Sequence, residues 1–247
     1  MTKSLVEWSA GVDGQPPIVV TSAWKGGDGK STLARELAYQ LDAVLVDLDW
    51  DLGGSTKSMG YRYEKYARYP LEDAFGKGKV PTPVRGTKKA DLVPSWPGWQ
   101  DIQPERDVVS DALETWAREW QRPLVVDTHP GGCEATYGAL NAANCIVVPT
   151  VLVKESLNAL EGMVQELVDY PLLIVPNKVS SPPPVFRRRL RRIVEDAQLV
   201  TGPIVHKALW LEKRTLNRAV CSEPVPKQAS SFVESIDELV ESVIAYG

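Results

Sequence analysis

Short, continuously apolar runs alternate along this chain with segments whose apolar residues recur every three to four positions. Ile18-Val-Val-Thr-Ser22, Ala43-Val-Leu-Val-Asp47, Pro123-Leu-Val-Val-Asp127, Cys145-Ile-Val-Val-Pro149 and Leu172-Leu-Ile-Val-Pro176 read as strands, and Pro203-Ile-Val-His206 is a shorter candidate. Ser31 to Leu41 reads as a helix with Leu33, Leu37, Ala38 and Leu41 on one face, and Ser110 to Trp120 as another. Ser231 to Ala245 is an amphipathic helix that turns Phe232, Ile236, Leu239, Val240 and Val243 inward. Strands that are apolar throughout belong to a sheet covered on both faces. The alternation therefore predicts an α/β fold: a mostly parallel twisted sheet with helices on both faces.

From Ser55 to Arg122 the pattern is thinner. Tyr61, Tyr63, Tyr66 and Tyr69 alternate with charges, Gly76 to Gly86 is a polar loop, and Asp91-Leu-Val-Pro94 is a short strand candidate. Ser180-Ser-Pro-Pro-Pro184 reads as a stiff surface loop rather than a boundary, so residues 1–247 are expected to form one domain, with 1–16 as an N-terminal extension. At 43% hydrophobic, 24% charged and 8% aromatic residues, the composition is globular rather than disordered or fibrous. Cys133, Cys145 and Cys221 give neither a disulfide framework nor a CxxC knuckle, and the expected compartment is a reduced cytoplasm. Glu7 stands where a signal peptide would carry its apolar run, and the longest apolar stretch, Ala142 to Val153, is too short for a bilayer. Neither secretion nor a membrane span is expected.

The candidate chemistry starts after the first strand. Trp24-Lys-Gly-Gly-Asp-Gly-Lys-Ser-Thr32 lies between a strand and a helix, where a phosphate cradle belongs. Gly26, Gly27 and Gly29 allow a tight turn that points backbone N–H groups at phosphate oxygens, and the helix start adds its positive dipole end. Lys30 would reach the β- and γ-phosphates, and the Ser31 hydroxyl would ligate Mg²⁺. The second strand ends in Asp47-Leu-Asp-Trp-Asp51, with Asp47, Asp49 and Asp51 alternating onto one side; a solvated acidic turn is the alternative reading. The run from Pro123 also closes on an acid, Asp127, the position that holds Mg²⁺ in phosphate-loop enzymes.

One departure carries more information than the match. The general motif places a glycine six residues before its lysine, where this chain has Trp24, and a second lysine, Lys25, precedes Gly26-Gly27. This Lys-Gly-Gly-x-Gly-Lys-Ser/Thr pattern resembles the deviant phosphate loop of the ParA/MinD family of ATPases. The resemblance runs from Ile18 to Ala245. It implies ATP and Mg²⁺ as cofactors, a sandwich homodimer when ATP is bound, and Lys25 reaching across that dimer to the partner's phosphates. It implies that Asp49 positions the attacking water and that Asp47 supports the magnesium shell. Gly26, Gly27, Asp28, Gly29, Lys30, Ser31 and Thr32 would then line the nucleotide. Asn177-Lys178 would face adenine, although an asparagine there also commonly caps a turn. Three positions depart from the family pattern: Asp28 replaces a small apolar residue, Trp50-Asp51 replaces Pro-Gln, and His129 replaces a proline in the loop Thr128-His-Pro-Gly-Gly132. His129 is taken as a loop residue.

The formal charge of −4 excludes a chain that is basic all over, but the charge is unevenly placed. Between Arg187 and Arg218 nine basic residues face three acids, a net +6 on a remainder of −10. Arg187, Arg188, Arg189, Arg191 and Arg192 fall in six residues of an expected helix, with Lys213, Arg214 and Arg218 as candidate neighbours. That polarity fits non-specific duplex DNA, as the resemblance to partition ATPases with a ParB-like or adaptor partner also implies, with a nucleoid-associated location. A solvated helix with Arg191–Glu195 and Arg192–Asp196 pairs is the plain reading. The rival function is a MinD-like or cargo-positioning regulator acting on a protein assembly or membrane without DNA segregation. The acidic outer face of the C-terminal helix weighs against the membrane version. Metal-cluster carriage is disfavoured without a CxxC, and the N-terminal extension is too short for a helix-turn-helix.

Overall fold

The structure, a computed structural model, describes residues 4–51, 54–65, 69–181, 183–212 and 217–246. Seven strands form one parallel sheet: β1 (Ile18–Thr21), β2 (Val44–Asp47), β3 (Asp91–Val93), β4 (Leu124–Asp127), β5 (Cys145–Thr150), β6 (Leu172–Pro176) and β7 (Val200–Thr201). Their order across the sheet is β3-β2-β4-β1-β5-β6-β7. Around it lie α1 (Leu5–Ala10), α2 (Lys30–Gln40), α3 (Ser55–Ser58), α4 (Pro70–Lys77), α5 (Arg106–Trp120), α6 (Glu134–Asn141), α7 (Lys154–Glu166), α8 (Pro184–Asp196), α9 (Leu209–Glu212) and α10 (Ser230–Tyr246). The α/β architecture expected from the sequence is the one observed.

Side chains alternate across each strand, so the sheet feeds two cores. Ile18 and Val20, Val44 and Val46, Leu124 and Val126, and Ile146 and Val148 pack against α4 to α8. Val19, Leu45, Val125, Val147 and Leu173 face α2 and α10 instead. On that second side Glu36 of α2, almost fully buried, accepts the N–H groups of Val220 and Cys221 at 2.7 and 3.0 Å and ties down the segment before α10.

Two details differ from the sequence expectations. The last strand is Val200–Thr201, not Pro203 to His206. Gly202 still donates to Ile174 and Val205 to Pro176, but Pro203 has no N–H to give, so the ladder skips before His206 bridges Val179. The N-terminal extension contains α1, closed by a reciprocal cap between Ser4 and Glu7 and anchored by the buried Trp8. The three cysteines are free thiols. Among the described residues no helix is long and apolar enough to cross a membrane.

Gly138 sets the closest helix approach. A Cβ there would lie 2.4 Å from the Arg106 carbonyl oxygen and 2.6 Å from Val109 Cβ, so α5 rests on α6 with no room for a methyl group. Gly138→Ala should cost about 1–3 kcal/mol of stability. Calorimetric melting checks this, and an unchanged midpoint would mean that α5 yields freely.

Candidate phosphate and cation site

Parallel pairing delivers the carboxyl ends of β1, β2, β4, β5 and β6 to one edge of the sheet, where ligands of open α/β sheets bind. The loop from Trp24 to Gly29 rises from β1 into α2. Gly27 and Gly29 adopt φ +91° and +102°, the left-handed region that a side chain resists. Gly29 is the N-cap of α2, and no side chain caps that helix. Among the described residues nothing bonds the N–H groups of Gly26, Gly27, Asp28 or Gly29. A loop that turns its N–H groups inward must turn carbonyls outward, and those need donors. Asn177 Nδ2 donates to the Asp28 carbonyl at 2.7 Å, and Lys178 Nζ donates to the Gly27 carbonyl at 2.8 Å. Both residues of the expected adenine-facing pair thus hold the loop backbone in this structure.

Asp47 and Asp127 stand opposite one another at the ends of β2 and β4, both wholly buried. Burial pushes the Asp47 carboxyl well above the usual carboxylate range, and the Asp127 charge pushes it further. Burial also raises Asp127, against the Lys30 ammonium and the Ser55 and Ser31 hydroxyls. The N-terminus of α3 supplies donors that the sequence reading missed. Ser55 Oγ donates to Asp127 at 2.7 Å, and the Thr56 N–H and hydroxyl donate to Asp47 at 2.6 and 2.7 Å. Only Gly54-Ser55-Thr56 following three aspartates hinted at this. Lys30 is buried beside them, while Ser31 and Thr32 are half-buried in the first turn of α2.

Asp49 is buried at the mouth of the same edge. Its Oδ1 accepts the Asp51 N–H at 3.0 Å and meets His129 Nδ1 at 3.0 Å. Asp49, Asp51 and His129 bring one ligand atom each within 4.8 Å of one another, although the Asp49–His129 contact already satisfies as a hydrogen bond. Lys25 folds back onto its own chain: Nζ donates to Ser156 Oγ at 3.2 Å, and that hydroxyl donates to Asp28 at 2.8 Å. Burial raises the Asp28 carboxyl, opposed first by Ser156 and then by Lys25, Lys178 and Lys30. The acid that departs from the family pattern is therefore built into a small network with α7.

The expected basic patch is divided. Arg187, Arg188 and Arg191 project from α8 and form no ion pair among the described residues; the i,i+4 pairs to Glu195 and Asp196 do not form. Arg189 pairs with Glu161 of α7, and Arg192 approaches the same carboxylate at 3.9 Å. Lys213 and Arg214 lie outside the described residues. Arg218 precedes Ala219, whose N–H bonds the Lys88 carbonyl near β3, and Val220 in the α2–α10 core. It thus sits on the opposite face from α8 and toward the opposite edge of the sheet, and does not extend the patch within one chain.

A parallel sheet of this order, with a glycine-rich loop between β1 and α2 at its carboxyl edge, defines the class as a phosphate-loop nucleoside-triphosphatase fold. Solved structures share this fold. The chain is similar to McdA of Cyanothece in complex with ATP (TM-score 0.72, 17% identity, 90% of this chain and 96% of that one). It is similar to a plasmid partition protein from Borrelia burgdorferi (0.68, 16%, 92% and 97%). The cell division ATPase MinD of Pyrococcus furiosus matches in the same way (0.69, 18%, 90% and 98%). No family model matches the sequence, and no curated protein sequence does.

Gly29 carries the sharpest prediction for the site. A Cβ there would lie 2.2 Å from Asn177 Nδ2, and the residue's φ is left-handed. Gly29→Ala should cost about 1–3 kcal/mol and abolish nucleotide-induced stabilisation. An ATP-dependent melting shift equal to wild type would refute the assigned loop geometry.

Proposed function

We propose that the chain is a Mg²⁺-dependent ATPase of the ParA/MinD family that acts as a nucleotide-switched homodimer. The observation that carries this reading is the convergence of a glycine loop with unbonded N–H groups, the buried Lys30, and two buried carboxylates in register. Such carboxylates need a cation beyond Lys30, and the donor set is hard oxygen, namely Asp127, Asp47 and the Ser31 hydroxyl, which suits Mg²⁺. Bound there, the ion would neutralise charge developing on the phosphates. The loop N–H groups and Lys30 hold the β- and γ-phosphates, Asp49 orients the attacking water, and Ser55 and Thr56 fix the two carboxylates. Phosphoryl transfer asks mainly for this positioning. Lys25 leaves Ser156 to reach the partner's phosphates in the dimer, and Asn177-Lys178 carry the loop toward the base.

The exposed Arg187, Arg188 and Arg191 support a role for the ATP dimer in holding duplex DNA without sequence preference, as in partition with a ParB-like partner. One chain offers few phosphate contacts, whereas two joined patches make the second contact intramolecular. The arginines cluster on one helix of an otherwise acidic chain, which favours this reading over a protein-directed regulator.

Lys30→Ala should lower ATP affinity at least tenfold by titration calorimetry, and an unchanged affinity would remove the phosphate-loop assignment. Arg187, Arg188 and Arg191 changed together to Glu should abolish filter binding of duplex DNA in ATP, with wild-type affinity falling steeply as salt rises. If that variant keeps the wild-type affinity and salt slope, DNA drops out and a protein-directed role takes its place.

A further inference from the structure

We propose that His129 is a positioning residue for ATP hydrolysis, acting through Asp49; the proposal rests on the ATPase reading above. His129 lies two residues beyond Asp127 on the loop after β4, and Asp49 lies two residues beyond Asp47 on the loop after β2. The two loops meet through these side chains. A carboxylate oxygen accepts, so in the 3.0 Å contact His129 Nδ1 serves as the donor to Asp49 Oδ1. The Asp51 N–H also donates to Oδ1, so this oxygen is held from two directions. Oδ2 receives no hydrogen bond among the described residues and is left to take one from water.

The imidazole is fixed in turn. Trp50 stacks on it with ring centroids 3.7 Å apart and planes 12° from parallel, so His129 cannot rotate without losing that face. The arrangement links two separate departures from the family pattern, Trp50 after the second strand and His129 after the fourth, which are in contact with each other. In effect the loop that follows the cation ligand Asp127 sets the rotamer of the residue that aims the water. Water orientation is sensitive to displacements of about 1 Å, which can cost on the order of a hundredfold in rate. His129 itself touches no reacting atom in this scheme.

The test is steady-state ATP hydrolysis by the full chain with Mg²⁺, together with ATP affinity by calorimetry. His129→Ala should lower kcat about 10–100-fold while KM and ATP affinity stay within twofold of wild type. His129→Asn, whose amide nitrogen can occupy the place of Nδ1, should recover most of that loss; Trp50→Ala should lower kcat in the same direction. A parallel fall in kcat and ATP affinity, or equal kcat values for the Ala and Asn variants, would mean a merely structural role and overturn the proposal. So would an unchanged kcat, or a raised one, which would mean that the contact restrains Asp49 rather than aiming it. A wild-type chain that binds ATP but shows no Mg²⁺-dependent turnover would instead overturn the ATPase reading, and this inference with it.

Discussion

Two buried carboxylates at one register organise the whole carboxyl edge of this molecule. Asp47 and Asp127 end neighbouring parallel strands, both wholly buried, and the Asp127 charge adds to the burial that opposes ionisation of Asp47. Such a pair persists only where donors and cations surround it. The chain supplies Lys30 from α2 and three donors from Ser55 and Thr56 at the start of α3. Ser55 and Thr56 bring donors without charge, and Lys30 brings positive charge beside Asp127. The position of α3, the burial of Lys30 and the approach of the loop after β1 all follow from this constraint.

The phosphate loop is held by the same logic applied to the backbone. The N–H groups of Gly26 to Gly29 meet no acceptor among the described residues, while the Gly27 and Asp28 carbonyls take donors from Lys178 and Asn177 just beyond β6. Gly29 belongs to both halves of this arrangement, because its left-handed turn starts α2 and its missing side chain admits the Asn177 amide. Strands β1 and β6 are separated by β5 in the sheet, so the loop is braced from across the fold rather than from its own flanks. Asp28 and Ser156 extend the bracing to α7 and take Lys25 with them.

Charge is distributed by element rather than by residue count. Arg189 of α8 is half-buried against Glu161 and Arg192 approaches the same carboxylate, whereas Arg187, Arg188 and Arg191 form no ion pair among the described residues. The free face is therefore narrower than the run of five arginines suggests, and a partner would meet Arg187, Arg188 and Arg191 first. The separation of Arg218 from this face leaves α8 as the described part of the expected patch that one chain offers.

Strands β1 to β6, the main helices and the glycine-rich loop between β1 and α2 were legible because they rest on local rules: apolar runs of strand length, a 3.6-residue stripe, and glycines in register with Lys30 and Ser31. Asp47 and Asp127 were legible because each closes such a run. The helix at Leu5–Ala10 was missed, although Ser4 and Glu7 carry its capping signature. What only the tertiary structure decided are the contacts between distant segments: Asn177 on Asp28, Ser156 on Asp28, Ser55 on Asp127, His129 on Asp49, and the parting of Arg218 from α8. None of these has a sequence spacing to betray it. Each depends on which strand ends the sheet order brings side by side and on which polar groups burial then forces to find partners.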